Sequence, residues 1–350
     1  MSTSPSTVRG AHLVGSVNLP DAESVFRTTA ALLGDRLTRI PDGETGARGN
    51  WISFQLPIIG ATPGIVRVGD EPNLVQGVDY RPIALADGVD AADVALPPLG
   101  YAAGAIESYA TFRRLRDEGV IRPGTRFLVA LPTAVAVVGG FIAAPARPAF
   151  EGVYARALYR ELDEILAAIP HGDLAIQWDV AVEFQYIEGL GYWGPLAVWW
   201  DDLWTGLVER AHEQLSHVPA DVEVGFHLCY GDLGEAHFVE PTDAGNLARF
   251  ANAVTVGAPR AIDWFHLPVP IGRDDPAYFA PLEALAIGPA ELYLGLVHRE
   301  DGAEGAARRI AAASAHVRAF GVGTECGIGR APREAVEALL STHRAVAAAV

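Results

Sequence analysis

Along the chain, short apolar runs alternate with longer stretches whose apolar residues recur every three or four positions. The runs at 12–17, 37–40, 126–131, 174–179, 222–229, 261–266, 291–297 and 320–323 predict strands. Helical periodicity predicts helices at 21–33, 50–59, 105–118, 150–169, 199–217, 244–256, 276–285, 304–318 and 333–348. Asp21 is placed to cap the first of them, and Leu158, Leu162, Ile165 and Leu166 fall on one face of the long helix at 150–169. Eight strands alternating with helices predict an α/β chain folded as a single (β/α)8 TIM barrel over residues 1–350. A doubly wound sheet is the alternative, because alternation does not by itself establish closure. The periodicity is lost between residues 60 and 100, where Pro, Gly and Asp are scattered. That stretch reads as an insertion after the second strand, a hairpin or a lid.

Composition narrows the class. With 350 residues, half of them hydrophobic and 20% charged, the chain can bury a large core. The 26 basic and 43 acidic residues give a net charge of −17, which argues against a nucleic-acid or anionic-membrane partner. Two cysteines cannot build a disulfide framework and fit a reducing compartment. Residues 1–10 are polar without an apolar core, and no run of about 18 apolar residues follows. The expectation is a soluble, cytoplasmic protein.

In a barrel, active sites lie at the carboxyl ends of the strands. Those ends present Ser16, then Asp42 and Glu44, Thr133, Asp179 with Glu183, His227 with Cys229, His266, His298 with Glu300 and Asp301, and Glu325 with Cys326. Singly, an aspartate there is most often a helix cap and a histidine a packed side chain. His227 and Cys229 sit two apart in an extended segment and so share a face, which is half of a zinc site. Spacing alone leaves metal binding level with two small buried thiols. Barrel closure would bring His227 and Cys229 from strand five, His266 from strand six and Cys326 from strand eight to one rim. Trp51 and the aromatics Tyr186, Tyr192, Trp193 and Trp199 are expected to line an apolar pocket there, partly covered by residues 60–100.

The motifs at these ends, in order, are Val14-Gly15-Ser16-Val17-Asn18-Leu19-Pro20, Asp42-Gly43-Glu44, Ile176-Gln177-Trp178-Asp179, His227-Leu228-Cys229-Tyr230 and Glu325-Cys326-Gly327. Together they resemble the catalytic carboxyl-terminal barrel of the cobalamin-independent methionine synthase family, within the uroporphyrinogen decarboxylase/methionine synthase-like superfamily. The resemblance implies zinc held by His227, Cys229 and Cys326, and substrate binding by Ser16, Asp42, Glu44 and Asp179, the last on an amino group. Where the family ends strand six with a zinc-binding glutamate, this chain has His266, the expected fourth ligand. Where the family has Asp-x-His after strand seven, this chain has His298-Arg299-Glu300, making His298 and Glu300 the expected proton-transfer pair. The amino-terminal barrel of the full-length synthases has no counterpart.

These residues predict a zinc-dependent methyl or alkyl transferase acting on a small-molecule thiol and a methyl or alkyl donor. Three alternatives stand beside it: epoxide opening by a zinc-bound thiolate, a metal-free decarboxylase or lyase using Asp42 and Asp179, and a non-catalytic zinc or small-molecule binding protein.

Overall fold

The computed structural model describes residues 7–75, 77–191, 194–232 and 234–350. Among these, eight parallel strands form one sheet: β1 (Thr7–Ala11), β2 (Arg39–Pro41), β3 (Arg126–Pro132), β4 (Leu174–Val180), β5 (Glu223–Leu228), β6 (Trp264–Pro268), β7 (Glu291–Val297) and β8 (Ala319–Thr324). The hydrogen-bonded order is β1-β8-β7-β6-β5-β4-β3-β2. The seam between its two ends is drawn together by the amide of Ala11 donating to the Arg36 carbonyl (2.8 Å) and by a parallel bridge between Ser16 and Gly43. This is a TIM-barrel-like fold, and the doubly wound alternative falls away. The first strand precedes its expected run at 12–17, of which Ser16 and Val17 make isolated parallel bridges at the rim, to Gly43 and Ile328.

The helices α1 (Ala22–Leu33), α2 (Tyr101–Asp117), α3 (Ala134–Phe141), α4 (Arg147–Ala168), α5 (Val182–Glu188), α6 (Leu203–Ser216), α7 (Gly245–Thr255), α8 (Gly302–Ser314) and α9 (Val336–Val346) flank the sheet. Asp21 caps α1 by accepting from the Ser24 amide at 2.8 Å, and Val25, Phe26, Thr29 and Leu33 form its buried stripe. The periodicity at 50–59 resolves into 3₁₀ turns and the short helix Leu56–Gly60. Two helices escaped the periodicity, α3 and α5. Both are only two turns long, and α3 is apolar all round because it is buried on nearly every side. No helix among the described residues is long and apolar enough to cross a membrane.

Residues 60–100 hold two nested antiparallel pairs, Ile65–Arg67 with Ile83–Leu85 and Leu74–Val75 with Val78–Asp79. Fully buried Ile83 bridges to Ile142, and its carbonyl accepts from the Ala143 amide at 2.8 Å, so this hairpin docks on the loop after α3. Its return to the barrel is held by Glu161 of α4, a carboxylate only 1% exposed that accepts from the amides of Leu99 (2.6 Å) and Ala102 (2.7 Å). Those amides are the otherwise unpaired donors at the start of α2, where a carboxylate is electrostatically favoured.

The barrel interior differs from the usual layers of branched aliphatics. At the amino end Trp264 and Tyr293 pack with Leu128 and Ala175. Arg39 lies over Trp264, 4.0 Å from the ring centroid, and is ion-paired to Glu223 (2.7 Å) and Glu291 (2.8 Å). Room for these large groups comes from glycine on the neighbouring strand: a Cβ at Gly225 would fall 2.2 Å from a Trp264 ring carbon. Gly225→Ala should therefore lower stability by about 1–3 kcal/mol through overpacking. Urea unfolding should show a lower midpoint at unchanged slope, and an unaltered midpoint would disprove the account.

Candidate active site

Parallel register sets the site. His227 of β5 is opposite Asp179 of β4 on one side and His266 of β6 on the other, so three polar side chains form one row across three strands. Just beyond the ends of β5 and β8, Cys229 and Cys326 approach to 3.7 Å between sulfurs. Ligating atoms of His227, Cys229 and Cys326 all lie within 4.8 Å of one another. Both thiols are free, and the Cys229 sulfur also accepts from the Gly231 amide at 3.3 Å.

Two observations show that these three residues fit a soft or borderline divalent cation. Thiolates held at ~2.3 Å from a tetrahedral ion sit about 3.8 Å apart, close to the spacing seen here. The second is an orphan: His227 is buried, its Nδ1 is taken up by His266, and its Nε2 has no partner. Hydrogen bonding to Cys229 and burial push the Cys326 thiol well above its ordinary value, so without a cation Cys326 stays protonated.

His266 is not placed as a fourth ligand. Its Nδ1 lies 2.8 Å from His227 Nδ1, and its Nε2 faces β8, where a Cβ at Gly323 would come within 2.7 Å. Burial holds both rings neutral, with His266 lowered to about 3 and His227 well below its ordinary value. Only one nitrogen of the pair carries the shared proton. With His227 Nδ1–H donating to His266 Nδ1, His227 Nε2 keeps a free lone pair directed away from His266. The expected ligand is thus an orienting partner, because parallel register sets it behind His227 rather than beside the sulfurs.

Beside the thiols a cavity is lined by Ser16, Glu44, Trp51, Asp179, His227, Cys229, Cys326 and Arg330. Asp179 accepts from Gln177 Nε2 (2.9 Å) and Trp51 Nε1 (3.2 Å), and Gln177 in turn contacts His12 Nε2 at 2.7 Å. Glu44 has a left-handed backbone (φ 48°), which swings its carboxylate over Gly15, where a Cβ would be 3.2 Å from Oε1. Burial, then repulsion from Asp179, raises Glu44 to about 8, while burial raises Asp179 to about 7 against the Gln177 and Trp51 hydrogen bonds. Asp42 does not line this cavity. Its carboxylate is occupied by Arg48 (2.5 Å) and the Glu44 amide (2.9 Å), so it shapes the loop that presents Glu44.

On the far side of the cysteines, Glu325 lies between two histidines, 2.8 Å from His237 Nε2 and 3.9 Å from His298 Nδ1. His298 Nε2 is engaged by the Val269 carbonyl at 2.9 Å. Glu300, expected as its partner, is exposed and paired with Arg299 (2.9 Å). Burial lowers His298. His237 moves the other way: burial pulls it down, but the bond to Glu325 and the charges of Glu325 and Glu240 carry it up to about 9. His237, Glu325 as its partner, and His12 were missed in the sequence. His237 follows the strand by too many residues for its placement to be read from spacing.

The aromatics divide. Trp51 lines the cavity, whereas Tyr186 and Trp199 pack edge to face at 5.7 Å against Trp200 and away from it. Trp199 Nε1 donates to Glu151 of α4 at 2.6 Å. Tyr192 and Trp193 lie outside the described residues.

No protein-family model and no curated protein matches the chain. Among solved structures it is similar to a B12-independent methionine synthase from Shewanella sp. W3-18-1 in complex with selenomethionine, at 14% identity and a TM-score of 0.59, over 98% of this chain and 96% of that one. A methyltransferase from Methanosarcina mazei matches at 13% identity and a TM-score of 0.48, over 98% and 95%. The likeness to the methionine synthase shows a shared fold.

Glu183 is a third raised carboxyl near this rim, accepting from Thr133 Oγ1 at 2.5 Å. Burial lifts it from 4.5 to about 7 against that hydrogen bond. The native state therefore binds the proton more tightly than the unfolded chain, and its contribution is full below pH ~4.5 and lost as pH rises to ~7. Glu183→Gln should flatten that dependence: between pH 5 and 8 the wild type should lose more stability than the variant, by up to about 3 kcal/mol. Parallel stability-pH curves for the two proteins would contradict the assignment.

Proposed function

We propose that the protein is a zinc-dependent transferase that moves a methyl or alkyl group onto a small-molecule thiol. The observation that carries this is the convergence of His227, Cys229 and Cys326 within 4.8 Å beside buried Asp179 and half-buried Glu44. The shared fold with a B12-independent methionine synthase supports it, and two thiols brought together at strand ends argue against a metal-free lyase.

His227 through Nε2, Cys229 and Cys326 would hold the zinc, leaving one position for a substrate. Bound there, zinc supplies the positive charge that lowers a thiol's pKa and makes thiolate available at neutral pH. Asp179 and Glu44 hold a cationic group of the thiol substrate, since a positive charge between two carboxyls of raised pKa relieves their mutual repulsion. Trp51 and Gln177 fix the Asp179 carboxylate while that happens. Transfer forms a bond from the substrate sulfur to the donor carbon and breaks the bond from that carbon to its leaving group, which departs with the electron pair. The leaving group takes its proton from water, and protonated His237, held by Glu325, lines with His298 the charged cavity on the far side of the cysteines.

Zinc-loaded wild type should show an added sulfur neighbour by X-ray absorption when cysteamine is supplied. Cys229→Ser should lose stoichiometric zinc, because a hydroxyl does not ionise to replace a thiolate. Full zinc occupancy in a Cys229→Ser, Cys326→Ser double variant would sink the reading. Asp179→Asn should weaken cysteamine about tenfold or more and leave ethanethiol, which has no amine, unchanged. Equal loss for both thiols would remove Asp179 from amine recognition.

A further inference from the structure

A second cavity, of about 450 Å³, opens beside the first under the hairpin insertion. The two share Trp51, Ala181, Asp232 and Arg330 as a common wall, so an occupant of one borders an occupant of the other. The second is the size of a small-molecule site and is walled by Ile52, Tyr80, Phe141, Ile142, Val182 and Leu196.

Two arginines line this cavity, Arg330, which is paired with Asp232, and Arg147. Arg147 donates from Nε to the Ile142 carbonyl (3.0 Å) and from Nη2 to the Gly139 carbonyl (3.1 Å), which fixes its guanidinium in place. Among the described residues it has no carboxylate partner, whereas the rim arginines Arg48, Arg273, Arg299 and Arg330 each have one. A half-buried guanidinium anchored by two neutral carbonyls leaves an edge of its fork open, the arrangement that takes up a carboxylate-like anion.

Space is built in as well. Of the two glycines ending α3, Gly139 is required by packing, since a Cβ there would lie 2.8 Å from the Tyr186 hydroxyl. Gly140 is not: its Cβ would meet nothing nearer than Ile52 Cδ1 at 4.0 Å. Packing around Gly140 would accept a side chain, and its absence leaves that volume to the cavity.

We propose that this cavity binds the electrophilic donor, and that the donor has an aliphatic or aromatic body and a single anionic group held by Arg147. The inference rests on the reading that the thiol occupies the neighbouring cavity with the cysteines. It assigns the two substrates by charge: a cation for Asp179 and Glu44, an anion on an apolar body for Arg147.

Calorimetric titration of the zinc-loaded protein with octanoate and with 1-octanol tests it. Octanoate should bind more tightly than octanol. Arg147→Gln should weaken octanoate about tenfold or more and leave octanol unchanged. Gly140→Leu, which fills the cavity without touching Arg147, should weaken both. Absence of octanoate binding, equal affinity for the two ligands in the wild type, or octanoate affinity unaltered in either variant would overturn the proposal. The sulfur added by cysteamine in the X-ray absorption spectrum is an independent readout. Its presence without octanoate binding removes only the donor assignment, whereas octanoate binding without an added sulfur removes the thiol reading and leaves the cavity's selectivity standing.

Discussion

Burying polar groups in the middle of the barrel is the constraint on which the rest of this structure depends. An interior filled by imidazoles, an amide and carboxyls is costly unless each group finds a partner. Here the partners form two chains. One runs from His12 through Gln177 to Asp179 and Trp51, the other from His266 to His227. The second chain has an unpaired nitrogen at each end, His266 Nε2 facing β8 inside the barrel and His227 Nε2 at the level of the two sulfurs. A fully paired interior would be inert, and one with many orphans would not fold. Leaving the open end at the rim turns the cost of burial into a poised ligand.

Backbone choices make that interior possible. Gly225 of β5 and Gly323 of β8 give Trp264 and His266 room inside a small barrel, and Gly15 does the same for the Glu44 carboxylate. At the rim, ion pairs give rigidity where the sheet has ended. Asp42 with Arg48 sets the loop carrying Glu44, and Asp232 with Arg330 stands where the cavities on either side of the cysteines meet. The cavity toward the hairpin is apolar. The other, bordered by Glu235, Glu240 and Arg299, is charged. Chemistry at the sulfurs therefore faces two environments of different polarity.

Local sequence carried much of this. The alternation of apolar runs and helical periodicity located seven of the eight strands to within a few residues, since period and punctuation are local properties of the backbone, and set the first beyond its true span of Thr7–Ala11. The His227 and Cys229 pairing followed from the two-residue repeat of a strand, and Asp21 capping α1 from its position before an apolar stripe. Tertiary structure decided what depends on neighbours far away in the chain. The position of His266 follows from the parallel register of β5 and β6, which sets it against His227 Nδ1. Glu300 and Glu325 both follow strands closely, and only the packing of the loop at His237 against β8 separates the exposed one from the engaged one. The solvent-shielded α3 had no amphipathic signal to give. The hairpin's seat on Ile142, the cavity beneath it and the unpaired charge of Arg147 arise from contacts between segments tens of residues apart, which no local pattern encodes.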